Sequence, residues 1–385
     1  MAILCRNFQI YSTKQTVKDF LLNCPEGVYT TARCSIKKQT DTISYMVFDL
    51  NTHLDRLING ANDLFPKLTQ ELGKDENVSK SHVCLQIKHN MFLVADQLHR
   101  NDSKMESCRL TVWVTCSKTL DESSIEYIQS YAPNGDLSEE DILKFTTRND
   151  RKFSCIENID VNGEIIEIMC FGEALPNPPT SGISVVCRKF TRSNPTIKNS
   201  DFVAQRDIFE KTKSSCNDSL LVSNTSHETQ VILEGCSSNF FAVYKGGVVR
   251  TASDEMVLAG TIRKLVCNIM NVEHKPPDLS DIEIWDACCI TSTSRLVLPI
   301  RDVIIPDDFS IVESVDQVLD ILSSSDYAPN TENNENQVFK IFVDGLSSKS
   351  DKIGYTVIRF PSENELLQEL CGEVNKRILS SSSAL

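Results

Sequence analysis

This 385-residue chain is short of positive charge: 39 lysines and arginines stand against 53 aspartates and glutamates, a net charge of −14 at pH 7. It contains no clustered run of Lys and Arg. Broad affinity for nucleic acid is excluded on that ground, since phosphate backbones are gripped by such clusters. No stretch approaches the roughly 20 apolar residues of a membrane-spanning helix. The opening Met1-Ala-Ile-Leu-Cys-Arg6 lacks the apolar core of a secretory signal. A cytoplasmic protein with no membrane partner is therefore expected. Fifteen cysteines are present, but they are scattered, odd in number and never spaced Cys-x-x-Cys. Neither a disulfide framework nor a zinc site is supported, and no metal is expected. The thiols should be reduced and mostly buried, packing as small hydrophobes. The final Ser383-Ala-Leu385 lacks the basic middle residue of a peroxisomal signal.

The length suffices for two domains with their own cores, since domains commonly run to about 100–200 residues. In the first part, Ile43 to Asp49 reads as a strand. His53 to Phe65 reads as a helix with Leu54, Leu57, Ala61, Leu64 and Phe65 at helical spacing. Leu85 to Leu98 continues as a second helix, and Cys108 to Thr115 alternates like a strand. Residues 117–150 are acidic and polar, with Pro133-Asn-Gly135 as a turn, and form a surface insertion. The proline-rich Leu175 to Gly182 has the composition of an interdomain connection. It divides an N-terminal domain, 1–174, from a C-terminal domain, 183–385. Beyond it the pattern predicts strands at 183–189, 219–222, 229–233 and 240–244, with helices over 200–213 and 261–270. Gly246-Gly247 marks a tight turn, 325–336 a loop, and the serine-rich end from Ser380 a frayed terminus.

Two residues carry the chemistry. Lys198 lies in Asn194-Pro-Thr-Ile-Lys-Asn199, and Glu234, 36 positions on, lies in Leu233-Glu-Gly-Cys-Ser-Ser-Asn-Phe-Phe241. Glu234 ends a strand that should be buried, so its carboxylate requires a cationic partner. Gly260-Thr261-Ile262 falls where a helix begins, and backbone N–H groups there are placed to cradle a phosphate. Thr293 and Ser294 add hydroxyl donors. Each motif also has a plainer reading: a loop lysine, a solvated strand-end glutamate, a turn threonine.

Together with Gly27-Val-Tyr-Thr-Thr-Ala-Arg33, His53-Leu-Asp-Arg-Leu57, Val257 to Arg263 and Ile290 to Pro299, these segments stand in one order. That order resembles the class IV, or fold type IV, pyridoxal phosphate enzymes: branched-chain and D-amino acid aminotransferases and aminodeoxychorismate lyases. The resemblance covers about residues 27–305. It implies a mixed α/β, two-domain fold, with a smaller N-terminal α/β domain and a larger C-terminal β-barrel-like domain that binds pyridoxal 5'-phosphate. Lys198 would form the Schiff base and move the α-proton, Glu234 would hold the pyridine nitrogen protonated, and Arg56 would bind the phosphate. Tyr29 would touch substrate or tune the lysine, or else be a buried strand tyrosine. His53 reads as a structural or capping residue. Relatives place the site at the domain junction and are commonly homodimers, and a homodimer is expected here by resemblance.

The chain departs from the family after its 110–115 strand, where Thr115-Cys116-Ser117 replaces an Arg-Gly pair, and at Gly260-Thr-Ile-Arg263, where relatives often have Gly-Ile-Thr-Arg. Cys236 is a further mild change. The implied activity is transfer of an amino group between an amino acid and a 2-keto acid. A lyase of the aminodeoxychorismate type and a non-catalytic binding relative remain open.

Overall fold

The computed structural model describes residues 2–6, 8–39, 42–66, 80–117, 132–133, 159–161, 164–175, 179, 182–225, 229–324, 327, 335–345, 352–361 and 363–385. The Pro133–Gly135 turn and most of the 117–150, 175–182 and 325–336 segments lie outside these residues. The chain divides into two compact units: Met1–Pro176 with Ile197–Ala204 and Ser381–Leu385, and Asn177–Thr196 with Gln205–Ser380. The short segment that holds Lys198 thus belongs with the first unit.

In the first unit the described strands make one antiparallel sheet. Its order is Ser382–Ala384, Ile43–Phe48, Val28–Lys38, Ser107–Ser117, Glu164–Ala174, Ala2–Arg6, Gln9–Thr13 and Ala132–Pro133, with Ile159–Val161 paired to Glu164–Ala174. Strand Ser107–Ser117 is rich in β-branched residues and Trp113, side chains suited to a pleated, buried surface. Helix Leu50–Leu64 starts from Asp49, at φ 50°. It buries Leu50, Leu54 and Leu57 at three- and four-residue spacing, with His53 on the same face. Helix Lys80–Asn101 adds Ile87, Met91, Val94 and Leu98 to the same core. Both helices extend further than the apolar spacing alone predicts.

The second unit is built on a sheet that closes. Strands Ile183–Lys189, Asp218–Asn224, Gln230–Gly235, Asn239–Tyr244, Trp285–Ser292 and Leu296–Pro306 pair in a ring, and the last returns to the first. Closure leaves no unpaired edge within the ring, so these strands need no edge protection. Phe240, Trp285, Leu220, Ile232 and Ile290 fill its core. The mixed α/β class with a barrel-like domain, expected from sequence, is the fold observed. Strands Lys352–Arg359 and Gln337–Asp344 extend the sheet from Leu296–Pro306. Gly246 and Gly247 turn with φ of 86° and 82°, as their spacing suggests.

Two expectations are corrected. The 200–213 helix is instead two short helices, Asp201–Gln205 and Asp207–Thr212, with Arg206 between them as the N-cap of the second and its guanidinium donating to the Cys236 carbonyl. The serine-rich end is not frayed. Ser382, Ser383 and Ala384 pair with Phe48, Val47 and Met46, Leu385 N–H donates to Tyr45 O at 3.0 Å, and Leu385 packs on the core. Among the described residues no helix is long and apolar enough to cross a membrane, and every cysteine whose side chain is described is a free thiol.

Deleting residues 381–385 is expected to lower stability by roughly 2 kcal/mol, the contribution of one short edge strand and a partly buried leucine. Urea denaturation checks this, and an unchanged midpoint would contradict it.

Candidate active site

Of the residues singled out by sequence, Lys198, Tyr29 and Arg56 lie in the first unit. The peptide around Lys198 runs beside strand Val28–Lys38: Tyr29 N–H donates to Lys198 O at 2.9 Å, Val28 bridges Asn199, and Ser200 N–H donates to Gly27 O at 2.8 Å. Ser200 Oγ accepts from Gly27 N–H at 3.0 Å. These backbone bonds fix the register of the lysine against the strand, and Lys198 Nζ lies 4.7 Å from the centre of the Tyr29 ring. A cation over an aromatic face is held by the ring quadrupole.

Helix Leu50–Leu64 brings Arg56 and His53 to the same strand. Thr30 Oγ1 lies 2.7 Å from His53 Nδ1 and accepts from Arg56 Nη1 at 3.4 Å. Burial pushes the Arg56 guanidinium down to about 10, against the opposing influence of Asp49 and Tyr29. Burial, then the positive charges of Arg56 and Lys198, push His53 down to about 3. His53 is therefore neutral near pH 7, and its Nε2 has no hydrogen-bond partner.

Glu234, Gly260, Thr261, Ile262, Thr293 and Ser294 lie in the second unit. Glu234 closes strand Gln230–Gly235 and is 4% exposed. Its Oε1 accepts from Arg192 Nη1 at 2.9 Å and its Oε2 from Leu258 N–H at 3.2 Å. Sequence reasoning required a cation here and expected the cofactor to supply it. The structure has one already in Arg192, whose place in the loop before Lys198 carries no local signal. Asn239, the strand partner of Glu234, donates through Nδ2 to Leu258 O at 2.7 Å. The 257–260 turn is thus held from both sides. A β-carbon on Gly260 would meet Asn239 Oδ1 at 2.2 Å, so any other residue there would have to displace the Asn239 amide that holds Leu258 O.

Gly260 leads directly into helix Thr261–Ile269, whose first N–H groups have no carbonyl partner within the helix. Thr261 Oγ1 lies 3.1 Å from Thr293 Oγ1, joining the helix start to the hairpin tip that contains Ser294. N–H groups and hydroxyls so arranged form a donor set matched to an anion. Sequence reasoning missed Arg263, which bonds Asp254 and the Ala252 carbonyl and so braces the chain leading into this turn.

Each unit by itself carries groups chemically suited to pyridoxal phosphate: in the first, a lysine amine over Tyr29 and a partly buried guanidinium; in the second, a helix start with threonine hydroxyls beside it and a buried carboxylate at a strand end.

Residues 167–303 match the family model described as amino-transferase class IV. The branched-chain aminotransferase of the archaeon Thermoproteus uzoniensis has a similar structure, with a TM-score of 0.53 at 12% identity over 99% of this chain and 98% of that one. At that identity the likeness concerns the fold. A fold IV transaminase from Curtobacterium pusillum matches at a TM-score of 0.47 and 18% identity, over 83% of this chain and 96% of its own. No curated protein sequence matches the chain.

His53 yields an expectation for acid stability. Between its ordinary value of 6.5 and the folded value of about 3, the unfolded chain takes up a proton that the folded chain refuses. Its contribution to stability is therefore complete above 6.5 and falls away as pH drops through that window. Wild type should lose stability across it more steeply than His53→Gln, as measured by urea midpoints, and equal slopes would contradict the assignment.

Proposed function

We propose, from the match of residues 167–303 to the class IV aminotransferase model, that the chain is a pyridoxal-phosphate-dependent aminotransferase acting between an amino acid and a 2-keto acid. The observation that carries this reading is the first unit's cluster: a lysine amine over the Tyr29 ring, and a guanidinium that shares Thr30 with His53. Pyridoxal phosphate, when bound, supplies an aldehyde for a lysine amine and a ring that delocalises the electrons left by a departing α-proton.

The chain's own residues do the rest. Lys198 would hold the cofactor through Nζ and then move the substrate's α-proton, with Tyr29 packed against the amine to orient it. Arg56 would bind the phosphate. Its proton is retained near neutral pH, even with the guanidinium pushed down to about 10. In the second unit, the Gly260–Ile262 N–H groups and the hydroxyls of Thr261, Thr293 and Ser294 would offer donors to a phosphate. Glu234 would accept a hydrogen bond from the ring nitrogen and so keep it protonated, with Arg192 holding the carboxylate in place. His53 is bonded to Thr30 and orients that strand residue.

Thr115-Cys116-Ser117, in place of an Arg-Gly pair, removes one means of gripping a substrate carboxylate, so the amino donor is left to experiment. Purified protein given pyridoxal phosphate and a panel of L- and D-amino acids is expected to form keto acid in a single half-reaction, and Lys198→Ala is expected to form none. Keto acid made equally by both proteins would overturn the role of Lys198. Pyruvate released from an aminodeoxychorismate-type substrate without amino transfer would replace the aminotransferase with the lyase.

A further inference from the structure

The hairpin that joins strands Trp285–Ser292 and Leu296–Pro306 turns through Thr293, Ser294 and Arg295, and Leu296 leaves it at φ 60°. A residue with a β-carbon enters that left-handed region at a cost, so the tip must be held. Arg295 reaches back to hold it. Its main-chain N–H and its Nε both donate to Ser292 Oγ, at 3.2 and 3.3 Å. Its Nη1 donates to Asn217 O at 2.9 Å, and its Nη2 donates to Asp218 Oδ2 at 2.7 Å and Ser237 Oγ at 2.8 Å.

Asp218, at the start of strand Asp218–Asn224, is 1% exposed. Its Oδ2 also accepts from Ser237 and Ser238 hydroxyls at 3.0 and 2.8 Å, and its Oδ1 from Ser219 N–H at 2.9 Å. Burial favours the neutral acid, but the Arg295 charge and the hydrogen bonds from Arg295, Ser238 and Ser237 outweigh it and hold the carboxyl below its usual range. One buried anion therefore ties the hairpin tip to the 235–238 turn that follows Glu234. The turn is tight: a β-carbon on Gly235 would meet Ser238 Oγ at 2.3 Å and Asp218 Oδ2 at 3.0 Å.

We propose that Arg295, locked by Asp218, is the positioning residue for phosphate recognition: it sets the Thr293–Ser294 hydroxyls beside Thr261 at the helix start before any anion arrives. The proposal rests on the reading of this chain as a pyridoxal phosphate protein. Preorganised donors bind an anion without first having to be ordered, so loosening the tip should weaken recognition of the phosphate and leave recognition of the rest of the cofactor alone.

Arg295→Lys keeps a cation for Asp218 but lacks the planar fork that reaches Ser292, Asn217 and Ser237 together. Tryptophan fluorescence titrated with pyridoxal phosphate, and separately with pyridoxal, which lacks the phosphate, gives two dissociation constants. The variant is expected to bind pyridoxal phosphate about tenfold more weakly, the effect of losing one charged hydrogen bond, and pyridoxal unchanged. Asp218→Asn should show the same split. If either variant melts early, Ser237→Ala, which removes a single Arg295 contact, should show it in smaller measure. Equal weakening toward both ligands would mark a general structural role and overturn the proposal, as would unaltered pyridoxal phosphate binding in folded variants. A wild type that binds pyridoxal phosphate no better than pyridoxal would refute phosphate recognition itself. A wild type that binds neither ligand would refute the cofactor reading, and the proposal with it.

Discussion

The second unit depends on one buried carboxylate. Glu234 sits at the end of a barrel strand where water does not reach it, and such a charge is tolerated only if it is paired and hydrogen-bonded. Arg192 supplies the charge and Leu258 the backbone donor. The second bond has structural reach, because Leu258 belongs to the turn that leads into Gly260 and helix Thr261–Ile269. Asn239 takes the carbonyl of the same residue, so the strand end, the turn and the helix start form one hydrogen-bonded body. Removing either member of the ion pair would strand the other, a loss on the order of 3–5 kcal/mol.

The same device recurs at Asp218, where a buried anion collects an arginine, two serine hydroxyls and a main-chain N–H. Both carboxylates lie on neighbouring strands of the closed sheet, and each fixes a loop beyond the strand ends. Barrel closure makes this possible: the ring has a packed core of Phe240, Trp285 and Ile290, and its ends are free to carry polar groups. In the first unit the anchoring is by backbone instead. Two main-chain hydrogen bonds, forming one bridge, align 198–200 with 27–29, so the lysine's position is set largely by peptide groups.

What could be read from sequence follows the reach of each signal. Strand Ile183–Lys189 and helix Thr261–Ile269 were legible because apolar periodicity is local. That Glu234 needed a cation was legible from the apolar run before it. That the cation is Arg192 was not, since the two are brought together only by the barrel's pairing. The end strand Ser382–Ala384 was misread for a related reason: serine composition suggests fraying, whereas main-chain pairing to Ile43–Phe48 is blind to composition. The break between Asp201–Gln205 and Asp207–Thr212 carried no local signal, since the bond of the Arg206 guanidinium to the Cys236 carbonyl exists only in the fold. The role of Arg295 left a trace, a lone arginine in a hydroxyl-rich loop, but its partner Asp218 could be known only from the fold. Strands Gln337–Asp344 and Lys352–Arg359 and helix Glu365–Ser380 lie past the segments in which motifs could be recognised.

The central claim is that Lys198 is the residue to which pyridoxal phosphate attaches. Incubating the protein with the cofactor, reducing with borohydride and mapping peptides by mass spectrometry tests it directly, because reduction makes the linkage permanent. One pyridoxyl group on the peptide containing Lys198, with the other lysines unmodified, is the result the account requires. Labelling of a different lysine, or scattered substoichiometric labelling of many, would contradict it.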